Sequence, residues 1–128
     1  MKVYKILLEK TKNGYSAYSK DISGVVSTGS TWEETKEMFT EAIEFHFEGL
    51  REDGEDVPDA YKLEFCLDVD QLFDYYKVFN VLALADYLGI NPQLLHQYKD
   101  GHKIPSEKTS LKILNGLHKF GKELLSVS

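Results

Sequence analysis

The sequence predicts an α+β chain in which a β-β-β-α-β unit over residues 1–69 precedes an all-helical unit over residues 70–128. Three observations carry this reading. Strand-like runs rich in aliphatic and aromatic residues occur only before Asp70, and every later apolar pattern has a helical period. Hairpin and helix-cap signals punctuate the chain at the required places. The charge is also divided: residues 1–66 hold 8 basic and 14 acidic residues, a net of −6, whereas residues 67–128 hold 7 of each. Such asymmetry suggests two modules with different partners. At 128 residues and 42% hydrophobic, the chain has the length of one average domain or two small ones and enough apolar residues for a packed core.

The elements follow in order. Val3–Glu9 and Gly14–Lys20 read as strands, with Lys12-Asn13-Gly14 as the hairpin signal between them. A third strand is expected over Val25–Gly29, completing a meander. Thr31 and Glu34 have capping-box spacing at the start of a helix. Its inward stripe is Trp32, Phe39, Ile43, His46, Phe47 and Leu50, and it ends near Arg51. The charged stretch Arg51–Asp59, with Gly54 and Pro58, reads as a surface loop. Lys62–Val69 alternates Leu63, Phe65, Leu67 and Val69 against Glu64, Cys66 and Asp68, as a strand with one buried face does. One helix packed on an antiparallel sheet buries both apolar faces most simply. The second unit should hold a short helix from Asp70 with Leu72, Phe73 and Tyr76 inward. A helix over Val81–Leu88 follows, capped by Asn80 and broken by Gly89. The third starts at Asn91-Pro92 and ends at Gly101, and the fourth is capped by Ser106 with Leu111, Leu114, Leu117 and Phe120 as its stripe. The tail after Gly121 fits a helical extension or a strand.

Several function classes are excluded at once. A net charge of −6 rules out a uniformly basic nucleic-acid binder, though not a locally basic one. The single cysteine, Cys66, forms no intrachain disulfide and reads as a small core or sheet residue, which fits a reducing cytoplasm. The opening Met1–Lys10 interleaves charge with apolar residues and is neither a signal peptide nor a membrane span. No His or Cys pair has ligand spacing together with a third partner, so neither a metal nor another cofactor is expected.

The most informative stretch is Val81–Asp100. Ala85 is small where two helices cross, and Gly89 stands where the turn between them needs positive φ. Leu84, Leu88, Ile90, Leu95 and Tyr98 are apolar at the positions that lock the pair, which leaves Asn91, Gln93, His96, Gln97 and Asp100 exposed. This pattern resembles the helix-turn-helix of the Cro/repressor class, and Gly101, Pro105 and the closing helix extend the likeness. The resemblance implies a recognition helix in which Gln93 and Gln97, one turn apart, contact base edges. Asn91 and His96 stand beside them, and Lys99 and Lys103 reach phosphate. The competing reading is a solvated polar face on a plain helical bundle.

The segment Ser23–Pro58 resembles the HicB antitoxin family through Gly24, Gly29, Thr31, Glu33, Glu34, Ala42, Gly54 and Pro58. It departs from that family's Pro-x-Leu-Pro-Gly-Cys stretch, having Lys20-Asp21-Ile22-Ser23-Gly24-Val25 instead, and it has Thr35 where an Ala is common. The resemblance implies a partial ribonuclease-H-like β-β-β-α-β domain that binds a small basic toxin, joined to a DNA-binding domain. The chain is then an antitoxin of a type II system that neutralises a HicA-like mRNA-cleaving toxin and represses its own operon at operator DNA. Glu34, Glu37, Glu41, Glu44 and Glu48 on one helix face are the toxin-binding candidates, with an exposed sheet edge as the rival. Palindromic operators require two-fold symmetry, so a homodimer or a higher even-numbered homo-oligomer is expected.

No enzymatic activity is expected. A ribonuclease-H-like site needs carboxylates converging on divalent metal, whereas the strands offer only Glu9, Glu64 and Asp68, and Asp21 and Asp56 are loop residues. The alternative is a stand-alone helix-turn-helix repressor whose first module binds another protein or a small molecule.

Overall fold

Strand β1 (Lys2–Thr11) turns through Lys12-Asn13 into β2 (Gly14–Tyr18), and the two pair antiparallel with Leu7 opposite Tyr18 and Thr11 opposite Gly14. β2 pairs antiparallel with β3 (Val26–Gly29), Tyr15 opposite Gly29. Helix α1 (Trp32–Glu52) then carries the chain over to β4 (Tyr61–Leu67). β4 lies parallel to β1, with Ile6 opposite Phe65, so the sheet order is β3-β2-β1-β4. The sheet is therefore mixed and not antiparallel as the simplest reading expects. The reason is topological: a single helical crossover returns the chain to the end where β3 began, and β3 and β1 run the same way. The computed structural model describes residues 1–128.

Aromatic contacts fix which face of the sheet α1 covers. Tyr4 meets Phe47 at 6.0 Å between centroids, Phe39 meets Phe65 at 6.4 Å and Trp32 meets Tyr15 at 5.5 Å. Alternation places Ile6, Leu8, Ala17 and Leu67 on that same buried face. Burying Phe39, Ile43 and Phe47 on α1 stabilises by roughly 1.5–3 kcal/mol each. Thr35, absent from the expected stripe, is wholly buried too, its hydroxyl donating to the Thr31 carbonyl at 2.7 Å.

Cys66 is fully buried, as its reading as a small core residue expects, although the strand's alternation sets it on the face opposite Phe65 and Leu67. Ile6, Leu7 and Leu8 are all buried, so both faces of the central strand are closed, and Cys66 is Leu7's register partner. The expected strand over Lys62–Val69 is also shorter. Its last sheet bond runs from the Asp68 amide to the Leu8 carbonyl at 3.0 Å, and Val69 opens a helix with its side chain buried.

The chain divides at that point into two compact units, Met1–Asp68 and Val69–Ser128. The second holds α2 (Val69–Tyr75), α3 (Val81–Leu88), α4 (Pro92–Lys99) and α5 (Glu107–Leu125). Caps set three of the starts. Asn80 accepts from the Ala83 amide, Asn91 from Gln93 and Leu94, and Ser106 from Thr109. Leu84, Ala85, Leu88, Ile90, Leu95, Tyr98, Ile113 and Leu114 form the core. Two expected core residues lie elsewhere. Tyr76 falls just past α2 and is exposed, its ring against Tyr75 and Phe79. Leu111 is exposed because Ser110 and Ile113 take the inward positions of α5, where a small serine admits closer packing. After Gly121 the helix continues to Leu125. No helix is long and apolar enough to cross a membrane.

Candidate functional site: an acidic helix face and an amide-lined groove

The first candidate surface is the outer side of α1. Glu34, Glu37, Glu41, Glu44 and Glu48 are all exposed at alternating spacings of three and four, which aligns them along one face. Glu34 is partly committed to the helix start. The Thr31 hydroxyl oxygen accepts from the Glu34 amide at 3.1 Å, and the Glu34 carboxylate accepts from the Ser30 hydroxyl at 2.9 Å. The reciprocal bond thus goes to Ser30 and not to the Thr31 amide of a regular capping box. That leaves Glu37, Glu41, Glu44 and Glu48 as the acidic row.

Beside this row stand Phe45, 80% exposed, and Met38, 41% exposed, two turns apart. The sequence pattern of acidic and inward residues singles out neither, although a signal exists. Phe45 lies two residues from Ile43 and from Phe47, about 200° around the helix from each, so it cannot share their buried face. The outer side of α1 therefore combines a row of carboxylates with an exposed aromatic ring.

The second candidate surface lies in the helical unit. Gly89 ends α3 in the left-handed conformation (φ 70°), and the Ile90 amide donates to the Ala85 carbonyl at 2.9 Å, which closes the α3 end. A side chain at this φ is strained. The Lys112 ammonium, from α5, donates to the Gly89 carbonyl at 3.0 Å and ties the turn down. α4 starts three residues later, at Pro92, so a short closed turn joins α3 to α4.

Gln93, His96 and Gln97 line one groove of about 560 Å³ with Val81, Leu82 and Pro92. Gln93 and His96 are exposed there, and Gln97 is half-buried. The structure thus brings together three of the six residues singled out for DNA contact. The other three are placed differently. Asn91 uses its Oδ1 to cap α4 through the Gln93 and Leu94 amides, at 2.9 and 3.2 Å, so its NH₂ is what remains to face outward. Lys99 lies over the Phe73 ring at 5.7 Å, in a pocket with Asp70, Asp74 and Lys77. Lys103 is exposed just beyond α4. Beside the groove, His96 Nε2 stands 3.2 Å from Asp100 Oδ2, an ion pair when the imidazole is protonated.

Leu82 is a groove residue that the helix-turn-helix pattern does not single out, and it is 68% exposed. Four consecutive apolar residues, Val81–Leu84, cannot share one helix face, so an outward leucine is legible there. No group of three or more His, Cys, Asp or Glu side chains is arranged to hold a metal ion.

Comparison with known proteins supplies the context for these surfaces. Residues 4–91 match the HicB-like antitoxins of bacterial toxin–antitoxin systems, a regulatory and not an enzymatic family. The match runs from Tyr4 in β1 to Asn91, the cap of α4. An uncharacterized 14.9 kDa protein from the rep-hol intergenic region of Haemophilus phage HP1 (strain HP1c1) is 34% identical over 87 residues. The aligned part is 68% of this chain and 65% of the phage protein, so the chain spans about two thirds of that relative's length. No solved structure matches the chain. With the family match running from Tyr4 through the rest of the sheet-and-helix unit and into the second, this chain belongs to the HicB-like antitoxins of bacterial toxin–antitoxin systems.

Proposed function

We propose that this antitoxin neutralises a HicA-like, mRNA-cleaving toxin through its first unit and binds its operon's operator DNA through its second. The observation that carries the first part is the outer side of α1, where Glu37, Glu41, Glu44 and Glu48 stand exposed beside Phe45. A toxin that cleaves RNA must present positive charge to phosphates. An inhibitor offering carboxylates competes for that surface. Exposed ion pairs alone contribute about 0–1 kcal/mol each, so the charges steer the encounter and an apolar anchor holds it. Phe45 supplies that anchor.

The second part rests on the groove holding Gln93, His96 and Gln97. Glutamine can pair bidentately with adenine in the major groove, and an exposed leucine such as Leu82 suits a thymine methyl group. In this reading α3 and α4 act as a helix-turn-helix pair with α4 as the recognition helix. Lys103 reaches a phosphate directly, and Lys99 reaches one by leaving the Phe73 ring.

Growth rescue tests the proposal. The full chain is co-expressed with a small basic HicA-like toxin, the product of any such reading frame found beside its gene. The proposal expects cells that arrest with that product alone to grow when the chain is present. Arrest that persists with soluble, folded chain present in excess contradicts it.

A further inference from the structure

Among the residues that line the α4 groove, His96 is the one whose side-chain type changes charge between pH 5 and 8. Val81 and Leu82 from α3, and Pro92, Gln93 and Gln97 from α4, carry no charge. α2 also packs on α4, but its Asp70 and Asp74 gather with Lys77 around Lys99 in a separate pocket. α5 reaches α4 at Tyr98, whose hydroxyl bonds Thr109, about 200° round the helix from His96. Beyond α4 the His102 and Lys103 amides donate to the Gln97 carbonyl. The charged group that faces the imidazole is Asp100, with Oδ2 3.2 Å from Nε2. Asp100 lies one turn further along α4 and does not line the groove, so the ring stands between the carboxylate and the groove. Both side chains are exposed.

We propose that His96 reads a base, that Asp100 sets which atom the ring offers to it, and that one proton reverses the base preferred. This rests on the reading of α4 as the recognition helix. A carboxylate beside Nε2 holds the neutral ring's single proton on that nitrogen, which leaves Nδ1 as an acceptor. Donors in the major groove are the N4 amine of cytosine and the N6 amine of adenine. Protonation from solvent adds a hydrogen at Nδ1, and the same atom then donates. Guanine presents only acceptors there, N7 and O6, and cytosine only its donor. A position that favours cytosine opposite neutral His96 therefore favours guanine opposite the imidazolium. Asp100 is the positioning residue and also the counter-charge. Protonation takes the His96–Asp100 pair from one net negative charge to none, so the pair gains no net positive charge with which to hold phosphates of every sequence.

The test selects preferred sequences from a randomised duplex library with the full chain, at pH 8 and at pH 6, which stays above the pI of about 5.2. Ionic strength is held equal. One position should move from cytosine or adenine to guanine, by about fivefold or more in relative affinity, while the positions read by Gln93 and Gln97 keep their preference. His96→Gln should select the same sequences at both pH values, and His102→Gln should switch as wild type does. Asp100→Ala should discriminate less at pH 8, because the ring then visits its second tautomer. Nitrogen-15 NMR of the free chain at pH 8 reads the tautomer without DNA, and should show the His96 proton on Nε2 in wild type and a mixture in Asp100→Ala. Identical selected sequences at both pH values overturn the proposal and leave the recognition helix standing. Tighter binding in acid to all sequences alike also overturns it and makes His96 a phosphate contact, as does a neutral ring protonated at Nδ1. A chain that selects no sequence at either pH overturns both the proposal and the reading of α4 on which it rests.

Discussion

Gly29 packs against Thr35 with no space for a side chain between them: a Cβ on the glycine would stand 2.5 Å from the Thr35 hydroxyl oxygen and 2.7 Å from its backbone nitrogen. This contact sets how the end of β3 meets the first turn of α1, and so how the outer face of α1 is presented. Thr35 cannot retreat, because it is fully buried and its hydroxyl is bonded to the Thr31 carbonyl. Gly29→Ala should therefore destabilise the chain by about 1–3 kcal/mol or more. Urea unfolding monitored by circular dichroism reads this directly, and a midpoint equal to wild type contradicts it.

The exposed ring of Phe45 should act after the encounter, not before it. Phe45→Ala removes no buried contact and should leave stability within about 0.5 kcal/mol of wild type. Toxin dissociation should accelerate by roughly 30-fold, the effect of about 2 kcal/mol at an interface anchor, with association little changed. Surface plasmon resonance separates the two rates. An unchanged dissociation rate removes Phe45 from the interface.

In the helical unit, replacing Gln93 and Gln97 together by Ala should weaken specific operator binding by roughly 1–3 kcal/mol for each glutamine that pairs with a base. Folding should be unaffected, since neither side chain is in the core. Fluorescence anisotropy against the promoter of the chain's own operon measures this, with a scrambled duplex as reference. Equal weakening on both duplexes identifies the amides as sequence-blind, and unchanged binding to both removes α4 from the groove.

Much of the architecture is legible in the sequence for local reasons. Asn80, Asn91 and Ser106 are caps, and Gly89 is a left-handed turn, because each depends on a few neighbouring residues. The parallel pairing of β4 with β1 is not legible, since alternation gives a strand's faces but not its neighbour or direction. Alternation likewise gives Cys66 a face but not its surroundings: its register partner Leu7, also buried, is far away in sequence. In the candidate sites, exposure of the glutamates follows from helix periodicity, but the diversion of Glu34 to Ser30 and of Lys99 to the Phe73 ring does not. Those are rotamer choices made in three dimensions.

Glu9 gives a pH dependence of known sign. Burial, and secondly the nearby negative charge of Asp68, hold the Glu9 carboxyl above its usual range. Asp68 is itself fixed by the Tyr18 hydroxyl, which donates to it at 2.9 Å. A raised carboxyl favours its protonated form in the folded state, so its stabilising contribution is present in acid and lost as pH rises through the folded value. Glu9→Gln should accordingly raise the melting temperature at pH 7. The gain should shrink as pH falls toward the ordinary glutamate value of about 4.3. A difference that is constant between these pH values contradicts the assignment.

The outer face of α1 as the toxin-neutralising surface is tested most directly by the association rate. Stopped-flow mixing of the full chain with the purified toxin that it neutralises in the growth-rescue test is repeated as salt rises from low to physiological ionic strength. The comparison is with a chain carrying Glu37→Gln, Glu41→Gln, Glu44→Gln and Glu48→Gln, changes at four exposed positions. Electrostatic steering predicts a wild-type rate that is about tenfold or more faster at low salt and falls steeply as salt screens it, with a slow, nearly salt-independent rate for the variant. Equal rates for the two chains at low salt, with equal neutralisation of the toxin, would make the row of glutamates an ordinary solvated helix face.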